Sequence, residues 1–465
     1  MAGLDAWIAE EEAVARRNML AAISATHLVH RRPAFGQAIR PAKGSVLASP
    51  VSAHYDPDPD YFFHWQRDTA VILGALVALI DDGVVGADGH ETIADIVRFT
   101  LLLDALDGRA IVADPAFGAG VAPEVRQYLR AREELSEVHG DRVRMEPRFN
   151  PDGTLDILGW GRPQIDGVAA RALVLRDYGN RYGFSEGLRR LVDDDIDFTL
   201  SHAGMESVDI WEERLCADYY TRSVQAALLE GAARDAQEHG EPARAPAYKD
   251  AADRLAALLD SHWSPERACY RAASGEGMPG DRDIDFAVVF AALHSGRETG
   301  PHSIADPHIQ ASFATLADIF AEDYAINRDR QAPAMGRFRG DVYQSGGAYY
   351  FSTLAAAELF YRLAALAPED GLAATPETAR FLAQAGIAPE MDTRQTASAL
   401  IARGDGFFET VRAFTPDDGA LSEQFDQMDG RQTSAKHLTW SYAAFLTAAA
   451  ARRRAVSTLL SESMG

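Results

Sequence analysis

Cysteine is almost missing from this sequence, with only Cys216 and Cys269 in 465 residues. Two thiols allow at most one bridge and no metal-spaced ligand set, which excludes a disulfide-stapled scaffold and a zinc ribbon. Lysine is nearly as scarce (Lys43, Lys249 and Lys436), and arginine carries the remaining positive charge, which reads as compositional bias. The formal net charge is −24. So acidic a chain excludes nucleic acid and anionic membrane as main partners, since both are bound through Lys/Arg surfaces. A neutral or cationic small ligand fits better. No apolar run is long enough to span a bilayer. The start, "MAGLDAWIAEEEAVARR", lacks the basic, apolar and small-residue segments of an export signal, and none of the four asparagines opens a glycosylation sequon. The expectation is a cytoplasmic protein without membrane or nucleic-acid partners, with a monomer favoured.

What is present is ample core material, 47% hydrophobic against 25% charged. Apolar residues at i, i+3, i+4 and i+7 recur from end to end, predicting helices over 5–30, 67–82, 89–106, 122–138, 165–181, 184–201, 215–238, 245–262, 284–295, 308–325, 347–367, 375–387, 394–413 and 434–452. Strand alternation is scarce and no βαβ rhythm appears. A long all-α chain without heptads or a Pro/Ser-rich linker suggests a helical solenoid or a closed ring of helical hairpins, and the lack of a short repeat weakens the solenoid. Function is expected in the long loops 40–66, 139–164, 202–214, 326–346 and 414–433.

Four of these loops share a vocabulary: "DYFFHWQRD" (60–68), "LGWGRPQIDG" (158–167), "DIWEER" (209–214) and "SEQFDQMDG" (422–430). Each mixes rings with carboxylates, guanidiniums or amides. A sugar needs that mixture, because its C–H faces stack while its hydroxyls require donors and acceptors. Glycosidic cleavage further needs two acids, one to protonate the leaving oxygen and one to attack or to activate water, and Glu212 and Glu423 are the best pair. Plain readings stand beside this one. Carboxylates near a helix N-terminus gain about 0.3–1 kcal/mol from the backbone dipole, which accounts for Glu212 and Glu213 but not for Trp211. Arg67 beside Asp68 also reads as an ion pair, and most tryptophans are buried in any case. "DDDID" (193–197) resembles a magnesium motif of all-α prenyl-transfer enzymes, but it lies on a helix's polar face and no second acidic motif answers it. "HLVH" (27–30) lacks a third ligand. A helical barrel that binds an oligosaccharide without cleaving it is the non-enzyme alternative; the presence of both acids argues against it.

These loops resemble those of the glucoamylases, glycoside hydrolase family 15, over about residues 9–452. "SVLASPVSAHYDPDPDYFFHWQRDTA", "EPRFNPDGTLDILGWGRPQIDGVAARA", "DIWEE" and "LSEQFDQMDGRQTSAKHLTWSYAAFLTAAAARR" follow the family's motifs in order. The resemblance implies an all-α (α/α)6 barrel with a pocket at one end, and release of glucose from non-reducing ends with inversion. It implies Glu212 as general acid and Glu423 as general base. It also implies Arg67 and Asp68 on the terminal glucose hydroxyls, Tyr61, Trp65 and Trp440 as walls, Trp160 and Arg162 lining the pocket, Glu213 and Arg337 at the next sugar, and Trp211 packed beside the acid. On that reading the indole and partial burial raise the carboxyl of Glu212 while Glu423 stays ionised. No metal or organic cofactor is expected.

Fungal members carry Tyr where this chain has Phe63 and Val208, which would remove two pocket hydroxyls, and "GRFRGDVYQSGGAYY" (336–350) follows the family loop loosely. These departures leave α-1,6-glucosides and trehalose as alternatives to α-1,4 linkages. Residues 1–465 read as a single barrel domain without a β-sandwich or starch-binding module, which favours short oligosaccharides over starch.

Overall fold

A computed structural model describes residues 3–54, 57–238, 241–274, 282–370 and 372–461; Tyr55 and Asp56 of the first motif lie outside them. Among the described residues twelve long helices build two concentric rings. In chain order they are α1 (Leu4–Ala21), α2 (Gln66–Asp81), α3 (Gly86–Leu103), α4 (Asp166–Tyr182), α5 (Glu186–Ser201), α6 (Tyr219–Glu238), α7 (Ala245–Asp260), α8 (Ala287–His294), α9 (Pro307–Asp323), α10 (Tyr350–Asp370), α11 (Thr393–Phe414) and α12 (Thr439–Ser461). Each even-numbered helix packs on the next and α12 closes on α2, while the odd-numbered helices lie outside. This is the predicted (α/α)6 barrel.

The sequence explains which helix goes where. Inner helices must be apolar on nearly every side, and α8, "AVVFAALH", is buried from Ala287 to Leu293. Outer helices are amphipathic: α5 turns Leu188, Leu191, Val192 and Ile196 inward. Local signals fix several starts. The Ser185 hydroxyl accepts from the Leu188 N–H at α5, Asp306 caps α9 ahead of Pro307, and Asp392 with Gln395 forms a capping box at α11. Small residues on the inner faces, among them Ala70 and Gly74 of α2, Ala170 of α4 and Ala444 and Ala451 of α12, leave an axial hollow of about 320 Å³ that ends against Trp440.

The rings correct several expectations. α1 stops at Ala21, not residue 30; beyond it the chain turns into a hairpin pairing His30–Arg32 with Gln37–Ile39. His27 is exposed, while His30 bonds Asp60 and Ser52, so the two histidines share no site. The span 122–138 divides into a 3-10 turn (Pro123–Tyr128) and a short helix (Arg132–Ser136), because Arg130 is pulled inward to a bidentate pairing with buried Glu146. In the 193–197 run, Asp195 points into the core and grips Arg171 through both oxygens at 2.9 Å. Asp194 and Asp197 meet Arg144 and Arg244, so these acids serve ion pairs. No described helix is long and apolar enough to cross a membrane.

Candidate active site

The loops entering the N-termini of the inner helices converge at one end of the barrel. Trp65 directly precedes α2, with Arg67 and Asp68 in its first turn; Gln164 and Asp166 stand at the start of α4, and Asp285 just before α8. A hairpin pairing Ser207–Val208 with Leu215–Asp218 carries Asp209–Arg214 at its tip, and Glu423 precedes a second hairpin of Gln424–Phe425 with Gln432–Thr433. Every inner helix thus aims its positive dipole end at this region, where electronegative groups are favoured.

Here lies a cavity of about 220 Å³. That is below the roughly 300–1,000 Å³ usual for drug-sized ligands, and suits one small ring better than a run of polymer. Tyr61, Trp65, Arg67, Asp68, Trp160, Trp211, Glu212, Glu213, Arg337, Glu423 and Trp440 line it. Arg162 does not: its Nε bonds Glu146 at 2.8 Å and its other nitrogens reach the Trp160 carbonyl and Asp156. It is a strut behind the Trp160 loop, because buried Glu146 and Asp156 compete for its charge. Phe63 is wholly buried, beneath the Arg32 and Arg148 guanidiniums, and Val208 is buried in the hairpin, so neither lines the cavity.

Glu212 is held from three directions. Its Oε1 accepts from Trp65 Nε1 at 2.8 Å and from Arg67 at 3.1 Å, and its Oε2 accepts from Trp160 Nε1. Arg67 in turn bonds Gln164 at 2.7 Å and Asp166 at 3.2 Å, so its ion pairs run to Asp166 and Glu212 and not to adjacent Asp68. Gly161 lets the Trp160 loop come this close, since a Cβ there would stand 2.8 Å from the Glu212 carbonyl oxygen. Glu212 itself has φ +66°, a left-handed conformation costing a non-glycine residue on the order of 1–3 kcal/mol. The turn is fixed by its N–H on the Asp209 carbonyl at 2.8 Å and by the Glu213 N–H on the Asp209 carboxylate at 2.9 Å.

Glu423 is 9% exposed and takes a hydrogen bond from the Ser434 hydroxyl. Burial pushes its carboxyl up to about 7, against the pull of Ser434 and Arg337 and with the repulsion of Asp68 and Asp341. Asp68 is likewise driven to about 7 by burial, which the neighbouring Arg67 offsets in part. The raised Glu423 carboxyl departs from the expectation that this group simply stays ionised. The indoles touching Glu212 belong to Trp65 and Trp160 and donate N–H bonds, whereas Trp211 turns its own N–H to Asp285 at 2.8 and 2.9 Å. No hydrogen bond joins Glu212 to Glu423.

Arg337 chelates Asp341 at 2.5 and 2.6 Å and reaches Glu213 at 2.9 Å, and Arg282 bonds the same Glu213 carboxylate. Sequence reasoning missed Arg282, Tyr343, Phe351, Gln164, Asp166 and Asp285. Gln164 and Asp166 stood inside a loop already singled out. Tyr343, whose hydroxyl meets Tyr61 at 2.8 Å, lay in the loosely matching 336–350 stretch. Phe351 and Asp285 had no signal beyond their predicted helices.

Comparison with known proteins agrees with this geometry. The family model described as glycosyl hydrolases family 15 matches residues 124–450, which include both Glu212 and Glu423. The chain belongs to that family. As a family 15 member it is a glycoside hydrolase of the glucoamylase type. It is 30% identical to Glucoamylase-1 of Schizophyllum commune, over 97% of this chain and 75% of that protein. To the probable glucoamylase of Schizosaccharomyces pombe it is 27% identical, over 96% and 91%. The family 15 glucoamylase structure from Hypocrea jecorina superposes with a TM-score of 0.79 at 25% identity, covering 97% of this chain and 72% of that one. These alignments take in the Tyr61–Asp68 loop, which the family model leaves out.

Proposed function

We propose that the chain acts as a single catalytic barrel that releases β-D-glucose from the non-reducing ends of short α-1,4-linked gluco-oligosaccharides by one inverting displacement. The observation that carries this reading is that Glu212 and Glu423 line one ring-walled cavity of about 220 Å³ without bonding each other. Glu212 gives its proton to the glycosidic oxygen as the C1–O bond breaks. Glu423 takes a proton from the water whose oxygen bonds C1 from the opposite face. Proton exchange with solvent then resets both carboxyls. Such a pair requires roughly 6.5–9.5 Å between carboxyl groups to admit the water.

The other residues set the stage for those steps. On this reading Asp68 accepts from hydroxyls of the terminal glucose, and the rings of Tyr61, Trp65 and Trp440, which share the cavity wall, cover its C–H faces. Arg67 spends its N–H groups on Gln164, Asp166 and Glu212, so its contribution is to hold the acid. Glu213, held by Arg337 and Arg282, faces the next sugar. No step uses a metal or organic cofactor.

The test is a hydrolysis panel of maltose, isomaltose, trehalose, panose and longer maltodextrins, with the fresh product followed by NMR. Maltose and maltodextrins should be the best substrates, and the β-anomer should appear first. Faster isomaltose cleavage would overturn the linkage assignment, and α-glucose as first product would overturn the inverting mechanism.

A further inference from the structure

Asp285 is 2% exposed and sits on the segment that opens α8. Both of its carboxylate oxygens accept from the indole N–H of Trp211, at 2.9 and 2.8 Å. One of them also takes the Ala287 N–H at 2.7 Å, which fixes the carboxylate to the first turn of α8. The same segment is tied to the Arg337 loop, through a bridge between Asp285 and Phe338 and the Phe286 N–H on the Arg337 carbonyl at 2.7 Å. Asp285 is therefore the joint at which the acid's loop, α8 and the Arg337 loop meet.

The ring it grips leaves little room for play. Trp211 stacks on Phe351 with centroids 6.3 Å apart and an interplanar angle of 23°, and meets Phe290 edge-on at 6.2 Å. The Arg337 guanidinium lies 5.4 Å from its centroid. The next residue is Glu212, in its left-handed conformation. A residue held at positive φ relaxes unless its neighbours over-determine it. On one side Glu212 has Asp209; on the other it has Trp211, whose single polar atom is spent on Asp285.

We propose that Asp285 is a positioning residue of the reaction: by anchoring the Trp211 indole to the start of α8 it holds the turn that carries Glu212, and so places the proton donor at the glycosidic oxygen. The proposal rests on the reading of Glu212 as the acid. Asp285 touches neither substrate nor the reacting atoms; its effect passes through Trp211. A misplacement of about 1 Å in a reacting group can cost on the order of 10²-fold in rate.

The test is a double-mutant cycle on maltose hydrolysis. Asp285→Ala should lower kcat by about 10²-fold with KM changed far less. Trp211→Phe, which keeps a ring but deletes the donor, should lose a comparable amount. The double variant should be no worse than the poorer single one, because both changes cut one link. Asp285→Asn keeps an acceptor oxygen for the indole and should recover most of the activity. Should Asp285→Ala fail to fold, Asp285→Asn and Trp211→Phe still decide the matter. A second readout is free of turnover: the Trp211 indole N–H resonance, assigned as the one lost in Trp211→Phe, should move in Asp285→Asn while the other indole signals stay. Additive losses in the cycle, no rescue by Asn, or an unmoved indole resonance would each overturn the proposal. Full activity of Glu212→Gln in the same assays would instead bring down the assignment of the acid, so the two failures are distinguishable.

Discussion

The two carboxyls assigned to the chemistry sit in opposite kinds of surroundings. Glu212 stands on a taut turn at the cavity wall, 13% exposed, with two indole N–H groups and a guanidinium on its oxygens. Glu423 lies deeper, with a single serine hydroxyl as donor and a carboxyl raised to about 7. One site is defined by donors and the other by exclusion of water. The two oxygens of a carboxylate offer about four lone-pair sites, so three N–H donors leave one open at Glu212. Ionising Glu423 works against its burial.

The comparison breaks most visibly if either group is removed. Glu212→Gln and Glu423→Gln should each cut glucose release by on the order of 10²–10⁴-fold, as loss of a general acid or base does, while circular dichroism and melting stay near those of the parent. Next in size is the donor set of Glu212. Trp65→Phe or Trp160→Phe removes one hydrogen bond to a charged group, worth about 1.5–3 kcal/mol, and should lower kcat/KM by roughly 10- to 10²-fold in initial-rate assays.

A smaller effect concerns Glu423 alone. As a base it works ionised, so kcat/KM should fall as pH drops through about 7, a limb well above the ordinary carboxylate range. The Ser434 hydroxyl favours the anion; Ser434→Ala should therefore move that limb to higher pH in a pH–rate profile. A limb that stays put would mean that burial alone sets it.

The smallest prediction isolates burial from catalysis. Glu11 of α1 is buried against the loop that leads to Glu423, close to Gly419, and its carboxyl is raised from 4.5 to about 8 by burial and by Asp418, with Arg17 opposing. A group with a raised folded value favours the fold while protonated. Its contribution is complete below about 4.5 and is lost as pH climbs to about 8. Glu11→Gln should flatten the fall of melting temperature over that window and leave the kcat/KM limb unchanged.

Much of this was legible in the sequence because inner helices must be apolar and outer ones amphipathic, and both leave a 3.6-residue period. The period misled where apolar residues pack beneath loops. Ile23, Ala25 and Leu28 continue the spacing of α1, yet they cover a hairpin, with Ile23 bridged to Val46. The ring-and-acid vocabulary located most of the cavity wall. It misplaced Arg162, whose charge is claimed by Glu146 behind the wall, and it gave no sign that the Trp211 indole N–H turns to Asp285. Which side of a loop a residue presents depends on partners far along the chain, and Asp285, 74 residues from Trp211, shows how far.

Among the described residues Trp440 alone lines both the sugar-sized cavity and the axial hollow behind it. That indole stands between the two spaces. On the proposed exo-acting reading, each freed sugar leaves the way the chain end came in, past the shortened chain. On that reading the chain is let go and caught again at every turnover.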